Sequence, residues 1–190
     1  NWAAILPFLA TAIALAAAPA HLGRPIYAHR AWKGWKTSWL SREVLGLGAF
    51  AGAALTYGVA LFFDLPVRPL LGAGAILIGI LGVYSSARIY MVPARPAWNS
   101  SHTLTEFFLT AAVLGPTLVL ASGAATHPAI FAIAAAATLA QVLNTWTRLS
   151  GFASSPVFEL NASAGLARQE SKAFLAARIV MAALALGALI

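Results

Sequence analysis

Residues 43–63 read EVLGLGAFAGAALTYGVALFF, and residues 69–90 read PLLGAGAILIGILGVYSSARIY, with only DLPVR between them. Each run carries almost no charge in its interior and is long enough for the ~20 helical residues that cross a hydrocarbon layer about 30 Å thick. The Asp64–Arg68 break holds a proline and supplies a turn, so the two runs form a helical hairpin. Four more runs of the same kind flank this pair, at 2–20, 103–122, 128–146 and 172–190. An outer-membrane barrel would show ~10-residue alternating strands, whereas these runs are continuous and rich in Ala, Leu and Gly. The expected fold is therefore an all-α, polytopic transmembrane bundle forming a single domain, with six spans at about 2–20, 43–63, 69–90, 103–122, 128–146 and 172–190.

Composition agrees. The chain is 61% hydrophobic and 9% charged, against roughly 25% charged residues in soluble domains, so no water-facing domain can be built from it. The first run ends Ala-Ala-Ala-Pro-Ala like a signal peptide, but it has no basic region before it and further spans follow. Asn1 opens the chain and both ends fall within apolar runs, so additional helices are expected beyond each end. Cysteine is absent, which excludes disulfides, thiolate metal sites and iron–sulfur ligation by this chain, and no metal site is expected. A net charge of +7 raises the question of nucleic acid, but the basic residues lie in short loops between spans, so no nucleic-acid binding is expected.

The basic residues are unevenly placed. Alternating spans put 20–42, 91–102 and 144–171 on one side, and that side with its helix ends holds Arg24, Arg30, Lys33, Lys36, Arg42, Arg88, Arg95, Arg148, Arg168 and Lys172. The opposite side holds only Arg68. Lys and Arg in short loops are retained in the cytoplasm, so the basic loops are expected to face it from a bacterial inner membrane.

Polar groups that enter the spans follow the same division. His21, Glu43, Tyr84, Arg88, Glu106, Gln141, Asn144 and Arg178 lie near the basic side, against Asp64, Arg68 and His127 on the other. An ionised group at the hydrocarbon centre costs ~2.5–3.5 kcal/mol on insertion scales, so such residues face a bundle interior or water. The plainer account is that each is interfacial, with arginines snorkelling to the headgroups; as a set they point to a polar pocket in one leaflet. Residues 23–42 place Trp32, Trp35 and Trp39 at helical spacing among Arg and Lys, as expected of a segment lying along the membrane surface, or of a plain anchor. Ser41 suits a helix N-cap, with Glu43 then in the first turn. Gly48 and Gly52, and Ala75 with Gly79, offer small-residue packing faces, and Gly115-Pro116 should kink its helix.

No span carries an interior histidine for axial haem ligation, although His21 and His102 lie at span ends, and no hydrolase triad, phosphate loop or HExxH helix occurs. Quinone chemistry fits what remains, because oxidising a quinol releases protons and electrons and needs groups that bond the ring oxygens and take protons. His21 and Glu43 are the residues suited to that role.

The motifs His21-Leu22-Gly23-Arg24-Pro25, Ser38-Trp39-Leu40-Ser41-Arg42-Glu43, Arg88-Ile89-Tyr90 with Pro96-Ala97-Trp98, Phe107-Phe108-Leu109-Thr110 with Gly115-Pro116, and Arg178-Ile179-Val180 run nearly the whole chain. In order and spacing the chain resembles the membrane-anchor subunit of the dimethyl sulfoxide reductase type. That resemblance implies an eight-helix anchor of which these six spans are the middle. It implies a subunit without a redox centre of its own, binding menaquinone or ubiquinone and holding an iron–sulfur subunit that leads to a molybdopterin catalytic subunit. It links the motif histidine and the glutamate opening the next helix, here His21 and Glu43, to quinol binding. Arg88, Tyr84, Glu106 and Arg178 are the further candidate pocket members, and Arg24, Arg30, Lys33, Lys36, Arg42 and Arg95, with the 93–99 segment, the candidate docking surface. The loop after His21 is more basic than in the enteric reductase anchor and looks more like that of cytoplasm-facing sulfite-oxidising complexes, which leaves open the direction of electron flow, in anaerobic respiration or sulfite oxidation. A purely structural anchor and a small-solute transporter are the competing readings; a transporter needs a polar path across both leaflets.

Overall fold

The computed structural model describes residues 9, 12, 13, 16, 17, 30, 32–121, 123, 127–167 and 180. Most of the expected spans at 2–20 and 172–190 lie outside the described residues, so the six-span count rests on the sequence. Among the described residues the fold is helical without strands, and its long elements are α1 (Trp39–Phe62), α2 (Arg68–Tyr90), α3 (Ser101–Ala121) and α4 (Pro128–Ala153). All four are long and apolar enough to cross a membrane. The shortest has 21 residues, about 31 Å at 1.5 Å per residue, which matches the hydrocarbon thickness.

The start of α1 corrects two expectations. Ser38, not Ser41, is the N-cap: its hydroxyl accepts from the Ser41 amide at 3.3 Å. The helix therefore opens four residues ahead of Glu43, which lies in the second turn rather than the first. Arg42 decides this by folding back, its Nε donating to the Trp35 carbonyl at 2.9 Å and its Nη2 to that of Lys36 at 2.7 Å. Gly34 allows the fold: a Cβ there would lie 2.6 Å from the Ser41 hydroxyl. Trp32, Trp35 and Trp39 consequently do not share one helix, since a 3-10 turn at 32–34 and a turn at 35–37 precede α1.

The turn from α1 to α2 is local chemistry. Asp64 takes the left-handed conformation (φ 52°) usually left to glycine after a helix, and the Leu65 amide bonds back to the Ala60 carbonyl at 2.9 Å. Asp64 also pairs with Arg68 at the start of α2. Before α4, His127 is the N-cap, its Nδ1 accepting from the Ala129 amide at 3.2 Å, and Pro128 follows where a missing N–H is harmless. That helix continues seven residues past Trp146 to Ala153, and residues 158–167 are helical too, so much of the expected 144–171 loop is helix. Pro116 lies inside a continuous α3, where the Ala112 carbonyl loses its usual amide partner.

Residues 1–89 and 90–190 form two units. In the first, α1 and α2 are antiparallel: Gly46 meets Gly82 so closely that a Cβ on Gly46 would lie 3.2 Å from the Gly82 Cα, and Phe50 covers Gly79. Gly48 and Gly52, expected to form a packing face, have nothing among the described residues within 4 Å of an added Cβ. The expected small face on α2 does pack, with Ala75 buried and Gly79 under Phe50. In the second unit α3 and α4 pack antiparallel along Thr103, Ala134, Ala137, Thr138, Gln141 and Asn144, all buried. Large apolar side chains point outward, including Phe62, Leu70, Leu77, Leu114, Leu139 and Trp146. Among the described residues the buried hydrophobic ones are all alanines, an arrangement that suits lipid as the surrounding solvent, where close backbone approach rather than large-side-chain burial joins helices.

Candidate functional site

The polar residues gather at corresponding ends of the two hairpins. In the first, Glu43 near the start of α1 accepts a hydrogen bond from the Ser86 hydroxyl of α2 at 2.5 Å. Beside it Trp39 meets Tyr84 edge-on, with ring centroids 5.7 Å apart. The Arg42 guanidinium lies 4.2 Å and that of Arg88 5.0 Å from the Trp39 ring centroid, a cation–π arrangement that holds two cations at the end of the hairpin. The Arg88 Nε is buried and has no hydrogen-bond partner among the described residues.

In the second hairpin, Asn144 of α4 bonds twice to α3 through its amide nitrogen, to the His102 carbonyl at 3.1 Å and to Glu106 Oε2 at 3.0 Å. The His102 carbonyl only accepts, so the nitrogen must point at it and the amide oxygen at His102 Nδ1, 2.8 Å away. His102 Nδ1 therefore carries the proton of that bond. One turn along, Gln141 Nε2 donates to the Thr110 hydroxyl at 2.8 Å, and that hydroxyl donates to the Glu106 carbonyl at 2.8 Å. His102, Glu106 and Thr110 are spaced by four, and Gln141, Asn144 and Arg148 by three and four, so each set forms one helix stripe.

A groove of about 380 Å³ lies at this end of the second unit, lined by Tyr90, Trp98, Thr103, Glu106, Phe107 and Arg148. Tyr90 meets Trp98 and Phe107 with centroids 5.1 and 5.4 Å apart. Arg148 Nε, like Arg88 Nε, is buried without a hydrogen-bond partner among the described residues.

Of the residues selected from sequence, Glu43, Tyr84 and Arg88 come together around Trp39, while Glu106 belongs to the other hairpin. His21, Arg24 and Arg178 lie outside the described residues. Among the docking candidates Arg30, Lys33 and Lys36 are exposed, with Lys33 and Lys36 each 5.7 Å from a tryptophan ring centroid. Arg95 lies 5.9 Å from the Trp98 centroid, and Arg42 is committed to the turn before α1. The sequence reading did not name Ser86, and it took Trp39 for a surface anchor and Arg148 for a loop cation rather than the edge of an aromatic groove; the stripe of Gln141, Asn144 and Arg148 was the available signal. Among the described residues no cluster of three or more His, Asp or Glu could hold a metal ion.

Apolar hairpins with outward-facing Leu and Phe, closed by small residues and amides and polar at matching ends, define an integral membrane protein of the helical-bundle class. More specifically, the chain belongs to the DMSO reductase anchor subunit (DmsC) family, whose profile matches residues 3–190. It is also similar to a sulfite dehydrogenase subunit of Allochromatium vinosum, with 34% identity over 119 residues. That match takes in 55% of this chain and 36% of the relative, so it spans about a third of that protein. No solved structure matches the chain.

Proposed function

We propose that this chain is the membrane anchor and quinone-reactive subunit of a molybdopterin and iron–sulfur oxidoreductase. It exchanges electrons between the membrane quinone pool and an iron–sulfur partner, which connects to the molybdopterin catalytic subunit. Family membership supports the anchor role. The observation that carries quinone reactivity is the Glu43 carboxylate, held by Ser86 at the end of an otherwise apolar hairpin beside Trp39, Tyr84 and Arg88. A carboxylate there exchanges protons with a ring hydroxyl or carbonyl, the Arg88 Nε is a donor for a ring oxygen, and the Trp39 and Tyr84 rings offer flat apolar contact. His21, which matches the family motif, is the second proton-exchanging group; two are needed because quinone and quinol differ by two protons and two electrons. The electrons pass to or from the partner's cluster, since this chain has no cysteine to hold one.

The basic segment with Arg24, Arg30, Lys33 and Lys36, together with Arg95, docks the iron–sulfur partner on the cytoplasmic face of the inner membrane, a reading supported by the excess of Lys and Arg there. The likeness to a sulfite dehydrogenase subunit favours electron flow from substrate to quinone, in which case Glu43 and His21 deliver protons. A transport path has little support among the described residues, because the opposite helix ends offer only the exposed Asp64–Arg68 pair and His127 committed as a cap.

Glu43→Gln and His21→Gln in the assembled complex test the assignment. Quinone-linked turnover should fall by about 10²-fold or more in each, the scale of a lost acid–base group. Electron transfer to a soluble acceptor through the partner subunits should persist. Unchanged quinone-linked turnover in both variants removes the site.

A further inference from the structure

The two hairpins carry the same pair of charged residues at matching places. Glu43 lies in the second turn of α1 and Arg88 in the last turn of α2; Glu106 lies in the second turn of α3 and Arg148 near the end of α4. Each arginine has a buried Nε without a hydrogen-bond partner among the described residues, which leaves a donor in want of an acceptor. In the second unit that donor borders an aromatic groove of about 380 Å³, large enough for a ring of one or two fused six-membered cycles. Tyr90, Trp98 and Phe107 provide flat apolar walls, and Thr103, Glu106 and Arg148 the polar edge.

Electrostatics selects the ligand class. A phosphate or carboxylate would satisfy Arg148 but would face the Glu106 carboxylate across the same groove, where like charges repel. A neutral ring with an oxygen substituent avoids that conflict: its carbonyl accepts from Arg148, and its hydroxyl, when reduced, donates toward Glu106. Stacking on the aromatic walls holds the ring plane.

We infer that the groove lined by Tyr90, Trp98, Phe107, Glu106 and Arg148 is a second ring-binding site of this chain, taking a quinone headgroup independently of the Glu43 hairpin. The choice of a quinone rests in part on the function proposed above, but the site stands on its own residues. Binding here needs no electron transfer, and the site serves to hold a second quinone molecule at the protein.

Photolabelling of the intact complex in phosphatidylcholine vesicles with an azido-naphthoquinone, followed by peptide mapping, tests this. Label is expected in residues 90–107 as well as near Trp39 and Glu43. Arg148→Gln should lower labelling of 90–107 by about tenfold, the effect of one charge-assisted hydrogen bond, and leave labelling at Glu43 unchanged. Phe107→Leu, which keeps the charges and is mild for folding, should lower it less and at the same segment. Excess unlabelled naphthoquinone should compete. Absence of label in 90–107, or equal labelling in wild type, Arg148→Gln and Phe107→Leu, overturns the inference. Loss of label on replacing phosphatidylcholine by phosphatidylglycerol, with no competition by naphthoquinone, would identify an anion site and also overturn it. Label in 90–107 but none near Glu43 would uphold this site while removing the Glu43 assignment.

Discussion

The two hairpins solve the same problem, joining apolar helices in a solvent as apolar as they are, by different means. The first relies on close backbone approach at Gly46 and Gly82, with the Ser86 to Glu43 bond between helices at its polar end. The second is stitched by amides: Asn144 bridges the His102 carbonyl, His102 Nδ1 and Glu106, and Gln141 bonds Thr110. Where glycines let backbones touch, one side-chain bond between the helices accompanies the packing. Where α4 packs its alanines against α3, side-chain amides add bonds between the helices, because an unpaired amide in hydrocarbon has no water to turn to.

The contrast can be broken most readily at Gly46. Gly46→Leu has backbone on the other side, not a side chain that can swing away, so it should destabilise the first unit by about 1–3 kcal/mol, read as a lower thermal midpoint in detergent. Gly48→Leu, with nothing against it among the described residues, should stay within about 0.5 kcal/mol of wild type. Equal effects at the two positions would show that close approach does not hold this hairpin. Next in size is Asn144→Ala, which severs the bonds to His102 and Glu106 and should lower stability by ~1–2 kcal/mol in the same assay. A stability unchanged by this substitution would mean that the amides are decoration.

Ser38→Ala removes the α1 cap and should cost about 1 kcal/mol, whereas Ser41→Ala, which only supplies the capped amide, should cost less. The reverse order would restore Ser41 as the cap. Among the substitutions that remove a hydrogen bond between helices, the smaller effect is expected for Gln141→Leu, about 0.6 kcal/mol, best measured as the coupling energy in a double-mutant cycle with Thr110→Val.

Much of the fold was legible because apolar length is a one-dimensional property. The span at 69–90 and the start of α4 at Pro128 matched the sequence reading to within a residue. The misreadings share one cause. Ser38 and Ser41 are equally good caps by composition, and the choice fell to Arg42 and Gly34 in the preceding turn. Gly46, Gly48 and Gly52 all advertise a small face, but periodicity names faces without saying which one meets a neighbour. Ending the span at Trp146 left Arg148, two residues further on, in a loop rather than on the helix that lines the aromatic groove. Glu43 and Glu106 were both recognised as costly intramembrane charges, yet nothing in the chain named their partners, Ser86 and Asn144.

Transfer from water to lipid depends on what each segment is made of, and that sum along the chain was enough to mark four helices as long and apolar enough to cross a membrane. Partners are another matter: Ser86 for Glu43, Asn144 for His102 and Glu106, and the open donor of Arg148 depend on how each helix is rotated about its axis. That rotation is set by contacts tens of residues apart, such as Gly46 against Gly82, so it appears only when the helices are packed.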